Sequence, residues 1–271
     1  MNTNLHTLQI KNGDLYFLYI ERLSDKGITD KKWHNHPFYE IMFFENGDSE
    51  HAIENNRYRV TGGDVLLIRP YRHHFEHTRI APRSSVYCIG FYADALANGD
   101  MAEELFKKGE HLTVGTDSVF AELMNVLKNK LSESKENGFP FLKSIIEAAL
   151  YSLADSSTQK NPDSDARGKS GITERIMEYI NSNLASLHTV SDISEPLFFS
   201  KSYVRDSFKK EMGIGIMEYV RNKKVILAHE KIVGGEKPTD IYIECGFSNY
   251  PSFYRAYRAY FGSSPRNLKN K

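Results

Sequence analysis

Short runs of apolar residues alternate with turn signals over the first 95 residues of the chain. The turn signals include Asn46-Gly47 and Gly62-Gly63, each of which lies between two runs. The apolar runs cover 15–20, 39–44, 65–68 and 86–92. Several short strands at this spacing are typical of a β-sandwich or β-barrel. We therefore predict a β domain, either a sandwich or a barrel, over residues 1–95.

Beyond Tyr92 the apolar residues recur at the spacing of an α-helix, in two stripes separated by a Gly/Pro break at 136–140. The stripes are Phe120, Leu123, Met124, Leu127 and Leu131, then Leu142, Ile145, Ile146, Ala149, Leu150 and Leu153. They predict an antiparallel helical hairpin within 96–157. Such a hairpin could pack on the barrel or face another subunit.

Residues 158–171 contain almost no apolar side chains and predict a linker between two domains. Beyond the linker, helical spacing over 172–271 predicts an all-α domain. Helices are expected over 172–184, 193–197, 200–212 and 216–232, and then from Pro238 and from Pro251. Pro196 falls inside the second of these and is expected to kink it, because proline donates no backbone hydrogen bond.

An internal repeat organises this rear domain. The segment 200–213 aligns with 249–262 at an offset of 49, which pairs Val204 with Phe253 on the inner face, where Tyr203 is also expected. Each copy ends at a glycine and carries cations and hydrogen-bonding side chains on its outer face. A two-helix hairpin in an ordinary core has no reason to repeat with its outer cations. We therefore predict a doubled helix-turn-helix that reads DNA.

Charge is distributed unevenly along the 271 residues. Residues 1–157 hold 17 Lys and Arg against 22 Asp and Glu, whereas residues 172–271 hold 15 against 11. The basic rear domain therefore suits contact with a polyanion. A DNA-reading module gains affinity when it is doubled, so we favour a homodimer contact through residues 117–155 over packing of the hairpin on the barrel.

The chain has no apolar run near the roughly 18 residues that a membrane helix needs, and its first residues show no signal core. Cys88 and Cys245 lie in different predicted domains and are expected to be reduced thiols. We therefore expect a cytoplasmic protein with no membrane partner.

Residues 172–271 resemble the AraC/XylS family of bacterial transcription regulators. The resemblance rests on the 200–213 segment, on Tyr219 with Ala228, on Glu244-Cys-Gly-Phe-Ser248 and on Tyr260-Phe-Gly-Ser-Ser-Pro265. It implies that both second helices enter the major groove of promoter DNA, and that RNA polymerase is a partner if the protein is an activator, as this family tends to be. The implied DNA contacts are Lys201, Ser202, Arg205 and Lys209 in the first copy, and Asn249, Tyr250, Ser252, Tyr254, Arg255 and Arg258 in the second.

Some residues depart from the family pattern. Asp206 stands where the family usually has arginine, and Phe198 occupies the usual turn glycine. In the second copy Tyr242 replaces a small residue, and in the connecting helix Lys224 replaces arginine. Because an acid near phosphate lowers affinity, we expect the second copy to be the stronger DNA reader.

The front domain carries a second resemblance, to the two motifs of the cupin β-barrel. His34-Asn-His36, Glu40 and Gly47 resemble the first motif, and Gly63-Asp64 and Pro70 with the following His73-His74 resemble the second. In metal-binding cupins such residues bind one ion, and the matching ligands would be His34, His36, Glu40 and His74 (or His73). Cupin domains that precede this DNA module mostly hold a small organic effector instead.

We therefore expect a small-molecule effector such as a sugar in this pocket, and no cofactor. A metal ion and a purely structural role of the histidines stay open as alternatives. The expected effector contacts are Trp33, His34, His36, Tyr39, Glu40, Arg69 and His74, with Phe43 as a further lining residue.

The sequence thus predicts an α+β protein with a cupin-like β-barrel, a helical hairpin and an all-α doubled helix-turn-helix. The predicted function is a transcription regulator without catalytic residues. A cupin metalloenzyme, either an isomerase or an oxygenase with a helical docking domain, is the competing interpretation.

Overall fold

The computed structural model describes residues 6–12, 15–22, 33–77, 84–133, 139–156, 158–159 and 171–266. The chain divides into two units, residues 1–168 and 169–271. Within the described residues, no helix combines the length and the apolar character that crossing a membrane requires. The predicted linker and the predicted break at 136–140 lie mostly outside the described residues.

The front unit contains two antiparallel sheets, with strand orders β1-β2-β8-β3-β6-β9-β10 and β5-β4-β7. The strands are β1 (His6–Asn12), β2 (Leu15–Arg22), β3 (Tyr39–Asn46), β4 (Asp48–Ile53), β5 (Asn56–Thr61), β6 (Asp64–Ile68), β7 (His74–His77), β8 (Ser84–Phe91), β9 (His111–Thr113) and β10 (Thr158–Gln159). The four predicted strands are confirmed as β2, β3, β6 and β8. Strands such as β5 were not singled out, because their polar residues interrupt the apolar runs.

Strand β3 lies in the middle of the larger sheet and separates two cores, because successive side chains point to opposite faces. On one face, Met42 and Phe44 pack with residues of both sheets, including Ile53 and Val60. On the other face, Phe43 packs against the helices. The first face therefore points into the space between the sheets.

Three helices cover the outer face of the larger sheet: α1 (Asp100–Lys107), α2 (Val119–Glu133) and α3 (Phe139–Ser156). The predicted hairpin is confirmed as α2 and α3, but our preference for its stripes as the dimer contact is wrong. Phe120, Met124, Ile146 and Leu150 are fully buried in one core with the sheet, because the outer face of a sheet needs an apolar cover. The side chain of Leu131 lies outside the described part of the chain.

The regular secondary structure in the described residues of the rear unit is entirely helical. Its helices are α4 (Ile172–Asn183), α5 (Ser191–Ser194), α6 (Lys201–Met212), α7 (Ile216–Val233), α8 (Pro238–Ile241) and α9 (Tyr250–Phe261). Helix α5 ends before Pro196 instead of kinking around it, because Pro196 has no backbone N–H with which to continue the helical hydrogen bonds after Glu195. The prediction that Tyr203 lies on the inner face is also wrong, because 49% of its surface is exposed. Its ring packs against that of Phe199 instead, with the ring centroids 5.4 Å apart.

Candidate functional site

The internal repeat is reproduced in the geometry of α6 and α9. Val204 and Phe208 of α6 are fully buried, as are their counterparts Phe253 and Tyr257 of α9. Both helices are capped at the start and end at a glycine in the left-handed conformation. The two copies are therefore the same structural unit, built on different core side chains.

The turn before each second helix also repeats. Phe198 in the first copy has φ 59°, and Gly246 in the second has φ 80°. The amide of Phe198 donates to the carbonyl of Glu195, and that of Gly246 to the carbonyl of Ile243, at 3.0 and 2.8 Å. A side chain in this conformation costs about 1–3 kcal/mol, so Phe198, whose ring is 94% exposed, strains the first turn.

The structure exposes most of the predicted DNA contacts on the outer faces of α6 and α9. Ser252 and Tyr254 are half-buried at the same face. The exposed contacts are Lys201, Ser202, Arg205, Lys209, Asn249, Arg255 and Arg258. Helix α9 contains two arginines and no acid, whereas α6 carries Asp206 and Glu211 among its cations. The second copy therefore presents the more favourable field to a phosphate backbone.

Tyr250 does not belong with the surface contacts and is a correction to the predicted site. Its ring packs 5.7 Å from that of Phe253 and 5.9 Å from that of Tyr242. Its hydroxyl is buried and has no hydrogen-bond partner among the described residues. As the first residue of α9, Tyr250 is covered by Tyr242, the residue that replaces a small side chain of the family pattern.

A cavity of about 260 Å³ opens beside the start of α9. Its polar lining includes Arg221 and Lys224 of α7, together with Ser248 and Ser252. Sequence reasoning missed Arg221, because α7 was interpreted only as a connector. The sequence signal that could have identified Arg221 was its position three residues before Lys224, which places the two cations on neighbouring turns of α7.

In the front unit, the structure brings four predicted residues together. Backbone hydrogen bonds of 3.0–3.1 Å pair His34 with His74, and their rings lie 4.1 Å apart. His36 and Glu40 approach from the same side, so the ring of His36 lies 4.9 Å from that of His74. One nitrogen of each of His36 and His74 and one oxygen of Glu40 lie within 4.8 Å of one another.

The orientation of the two imidazoles is set by backbone carbonyls. Nδ1 of His36 lies 2.9 Å from the carbonyl oxygen of Phe38, and Nδ1 of His74 lies 3.0 Å from that of Arg72. Because a carbonyl only accepts, both rings must carry a proton on Nδ1. Their Nε2 atoms then face the same oxygen of Glu40, at 3.1 and 3.3 Å.

This arrangement determines the charge at the centre of the cluster. Burial raises the pKa of the Glu40 carboxyl, but its contacts with His36 and His74 outweigh burial and hold the pKa well below its ordinary value. Tyr16 donates to the other carboxylate oxygen at 2.8 Å, and burial with the nearby Glu40 charge raises the pKa of Tyr16. Glu40 is therefore a carboxylate, and it faces two lone pairs whenever both rings are neutral.

Sequence reasoning missed Tyr16. It lies on β2, opposite Gly90, and a side chain at Gly90 would collide with the Tyr16 ring. The alternation of β2 indicates an inward position for Tyr16, but not its pairing with Glu40.

Three other predicted effector contacts lie apart from the cluster. Tyr39 and Arg69 both bind Glu103 of α1, and Arg69 stacks over Phe106, so these side chains face the helices. Phe43 is buried on the same helix-facing side. They were misassigned because neighbouring residues of a strand point to opposite faces.

Trp33 packs against Phe75, with ring centroids 4.8 Å apart. The side chain of His73 contacts Asn35 at 2.9 Å. Trp33 and Asn35 alternate with His34 and His36 along the chain, so they point to the opposite side. The histidine that joins the cluster is therefore His74 and not His73.

Family models match both the front and the rear parts of the chain. Residues 7–150 match the family model of the AraC-like ligand binding domain, which covers more than half of the chain. The chain belongs to the AraC family. Residues 193–271 match a helix-turn-helix domain, so this AraC-family protein is a DNA-binding transcription regulator with a ligand-binding domain.

Among curated relatives, the chain is similar to the HTH-type transcriptional activator RhaS of Escherichia coli K12, with 24% identity over 244 residues. That match covers 87% of this chain and 86% of RhaS. The crystal structure of ToxT from Vibrio cholerae O395 matches 95% of this chain and 97% of ToxT, at 12% identity and a TM-score of 0.37. The AraC-like transcriptional activator CuxR matches 82% of this chain and 79% of its own, at 16% identity and a TM-score of 0.39. Because these TM-scores are low, family membership rests on the family models.

Asn249 offers a test of helix capping at the start of α9 that does not require DNA. Its side-chain oxygen accepts from the backbone amide of Ser252 at 2.9 Å. Asn249→Ala is expected to destabilise the start of α9 by about 1 kcal/mol, which corresponds to roughly fivefold faster amide exchange there. Asn249→Ser keeps an N-cap and should exchange at the wild-type rate. Hydrogen-exchange mass spectrometry measures both, and equal exchange in the alanine variant would contradict the capping role.

Proposed function

We propose that this regulator activates transcription when a small ligand binds between the sheets of its front unit. The name of the relative RhaS, an activator, supports the direction of regulation. An activator must help RNA polymerase, so in vitro transcription from its own upstream DNA should rise when purified regulator and polymerase are combined. A fall in transcript would identify a repressor.

We propose that α6 and α9 enter successive major grooves, which lie about 34 Å apart on one face of DNA. Cations on the outer faces would hold phosphates, and polar residues near the helix starts, such as Ser202 and Ser252, would reach base edges. The single supporting observation is the repeated pair of capped helices with matched turns.

The two copies should contribute unequally to DNA affinity. Arg255→Ala is expected to weaken binding more than Arg205→Ala, because Arg205 stands beside Asp206, whereas α9 contains no acid. Both arginines are exposed, so the two variants form a matched pair. Gel-shift titration on the protein's own upstream DNA at two salt concentrations measures the difference. Equal losses, or a larger loss for Arg205→Ala, would identify the strained first copy as the principal reader.

The ligand site that we propose is the cluster of His34, His36, Glu40 and His74. An organic effector could present hydroxyl or ammonium hydrogens to the carboxylate and to the two Nε2 atoms. This use of the cluster agrees with the match to a ligand-binding family.

A divalent transition-metal ion is a second candidate, and one observation favours it. With Nδ1 of both rings committed to carbonyls, neutral imidazoles aim two Nε2 lone pairs at the Glu40 carboxylate, which also carries lone pairs. Such an arrangement is repulsive unless an Nε2 atom is also protonated, so that it donates to Glu40, or a metal cation lies between the three atoms. Two imidazoles and one carboxylate suit zinc, iron, manganese or nickel, and hydrogen bonds on the far side of each ring are typical of metal-bound histidines.

Adjacent histidines provide a matched test of this site. His74→Gln should abolish binding of zinc or manganese in isothermal titration, whereas His73→Gln should leave it intact, because only the His74 ring faces Glu40. Binding that survives in both variants would refute metal ligation by the cluster. If wild-type protein binds no metal, the organic effector remains, and His74→Gln should then remove the effect of the effector on transcription.

We also propose a homodimer, through the face of α2 and α3 that points away from the sheet. Val119 and Val126, seven residues apart on α2, are 61% and 39% exposed. Phe141 and Tyr151 on α3 are 54% and 51% exposed, with the exposed Ala148 between them. An apolar stripe on both helices of a hairpin suits a second copy related by a two-fold axis.

The dimer can be tested with neighbouring residues of α3. Tyr151→Glu places a charge on the proposed contact and should shift the sedimentation mass from dimer to monomer. Fluorescence of Trp33, the single tryptophan of the chain, reports unfolding of the front unit. Leu150→Ala is the control for packing and should cost about 2–5 kcal/mol there. A wild-type protein that sediments as a monomer at micromolar concentration would refute the proposal.

The family match favours this regulator over a metalloenzyme. Metal-dependent turnover of a small substrate by the purified protein would reverse that preference.

A further inference from the structure

We propose that Lys224 of α7 is a positioning residue that holds the two helix-turn-helix copies at one fixed spacing. Its ammonium donates to the carbonyl of Leu187 at 2.6 Å and to the carbonyl of Gly246 at 2.9 Å. Leu187 leads into the first copy, and Gly246 is the turn of the second. One side chain of the connecting helix therefore bonds to the segment that leads into the first copy and to the turn of the second copy. The consequence for DNA reading rests on the function proposed above.

The backbone also brings the turn of the second copy into direct contact with the segment that leads into the first copy. A Cβ atom built on Gly246 would lie 2.2 Å from the carbonyl oxygen of Ala185, which precedes the first copy. Gly246 also has φ 80°, a conformation that favours glycine. The second turn thus packs against the segment that leads into the first copy, with no room for a side chain between them.

The ammonium is well enclosed, since Lys224 is 5% exposed. A lysine has three donors, and carbonyls take two of them. The nearby charge is Asp192, whose carboxylate accepts from the amides of His188 and Thr189 at 2.7 and 2.8 Å and so fixes the start of α5 beside the same junction. Burial lowers the pKa of Lys224, and the charge of Asp192 opposes that effect.

A rigid junction has a consequence for operator recognition. One inserted base pair moves a half-site by about 3.4 Å and rotates it by about 35°. Two reading helices in fixed relation cannot follow such a change without strain in the protein or the DNA. Lys224→Met removes both bonds, leaves two carbonyls without their donor, and should loosen the relation between α6 and α9.

The spacing can be measured without DNA. Spin labels at Lys210→Cys and Ala259→Cys lie on exposed positions of α6 and α9, and the native Cys88 and Cys245 are buried. Electron-electron resonance of the full chain, diluted with unlabelled protein to suppress distances between subunits, should give a narrow distance distribution. Lys224→Met should broaden it at least twofold. Lys224→Arg should stay narrow, because a guanidinium can also donate to both carbonyls.

Lys231→Met is the matched control on the same helix. Its ammonium binds Glu236 and Glu244 and, among the residues that the structure describes, makes no hydrogen bond to the first copy. It should leave the distribution narrow. If Lys224→Met does not fold, Gly246→Ala provides the second variant, because its methyl group must push Ala185 away. A narrow distribution in both the Lys224→Met and Gly246→Ala proteins would overturn the proposal.

A DNA-binding experiment then tests the positioning role of Lys224 separately from the proposed DNA-reading function. Sites selected from random DNA by the wild-type protein are compared with versions that carry one extra base pair between the half-sites. Wild type should lose at least tenfold in affinity on insertion, and Lys224→Met should lose less than threefold. An equal loss in both proteins would overturn the positioning role. If the spin labels show a broadened distance in Lys224→Met but the wild-type protein selects no DNA, the proposed DNA-reading function is refuted and the positioning role of Lys224 is retained.

Discussion

The alternation of side chains along β3 is the constraint on which the front unit depends. One set of residues, ending in Met42 and Phe44, faces the space between the sheets, and Glu40 belongs to that set. The other set, which includes Tyr39 and Phe43, must be covered by helices. A ligand site and a helical cover are therefore two results of the same strand. A shift of β3 by one residue would exchange them and place the carboxylate under α1.

The rear unit repeats one solution with different side chains. Gly246 and Phe198 hold the same left-handed turn, although only glycine does so without strain. Phe198 therefore adds conformational strain and an exposed aromatic ring to the first copy, and the second copy has neither at this turn. Phe198 is 94% exposed, so packing of the described residues does not explain why this residue stands at the turn.

Much of this fold could be predicted from periodicity. The capped pairs α6 and α9 were visible because the repeat fixes equivalent positions such as Val204 and Phe253, and the hairpin followed from its apolar stripes. What those stripes contact was not predictable, since burial under a sheet and burial in a dimer require the same residues. Position on a strand likewise explains the site. His34, His36, Glu40 and His74 were found from the resemblance to the cupin motifs, whereas Tyr39 and Arg69 were assigned by residue type without regard to which face they occupy.

Hydrogen bonds to backbone carbonyls were the feature that the sequence could not supply. Nδ1 of His36 and His74 and the ammonium of Lys224 all donate to carbonyls, whose positions depend on the folded chain and not on residue identity. In the histidine cluster these bonds turn two ordinary imidazoles toward one carboxylate. In the rear unit, hydrogen bonds to two carbonyls hold the ammonium of Lys224 inside the domain, although lysine is usually an exposed residue. The proposed ligand site and the proposed positioning role of Lys224 therefore both depend on main-chain acceptors, and residue spacing alone cannot reveal them.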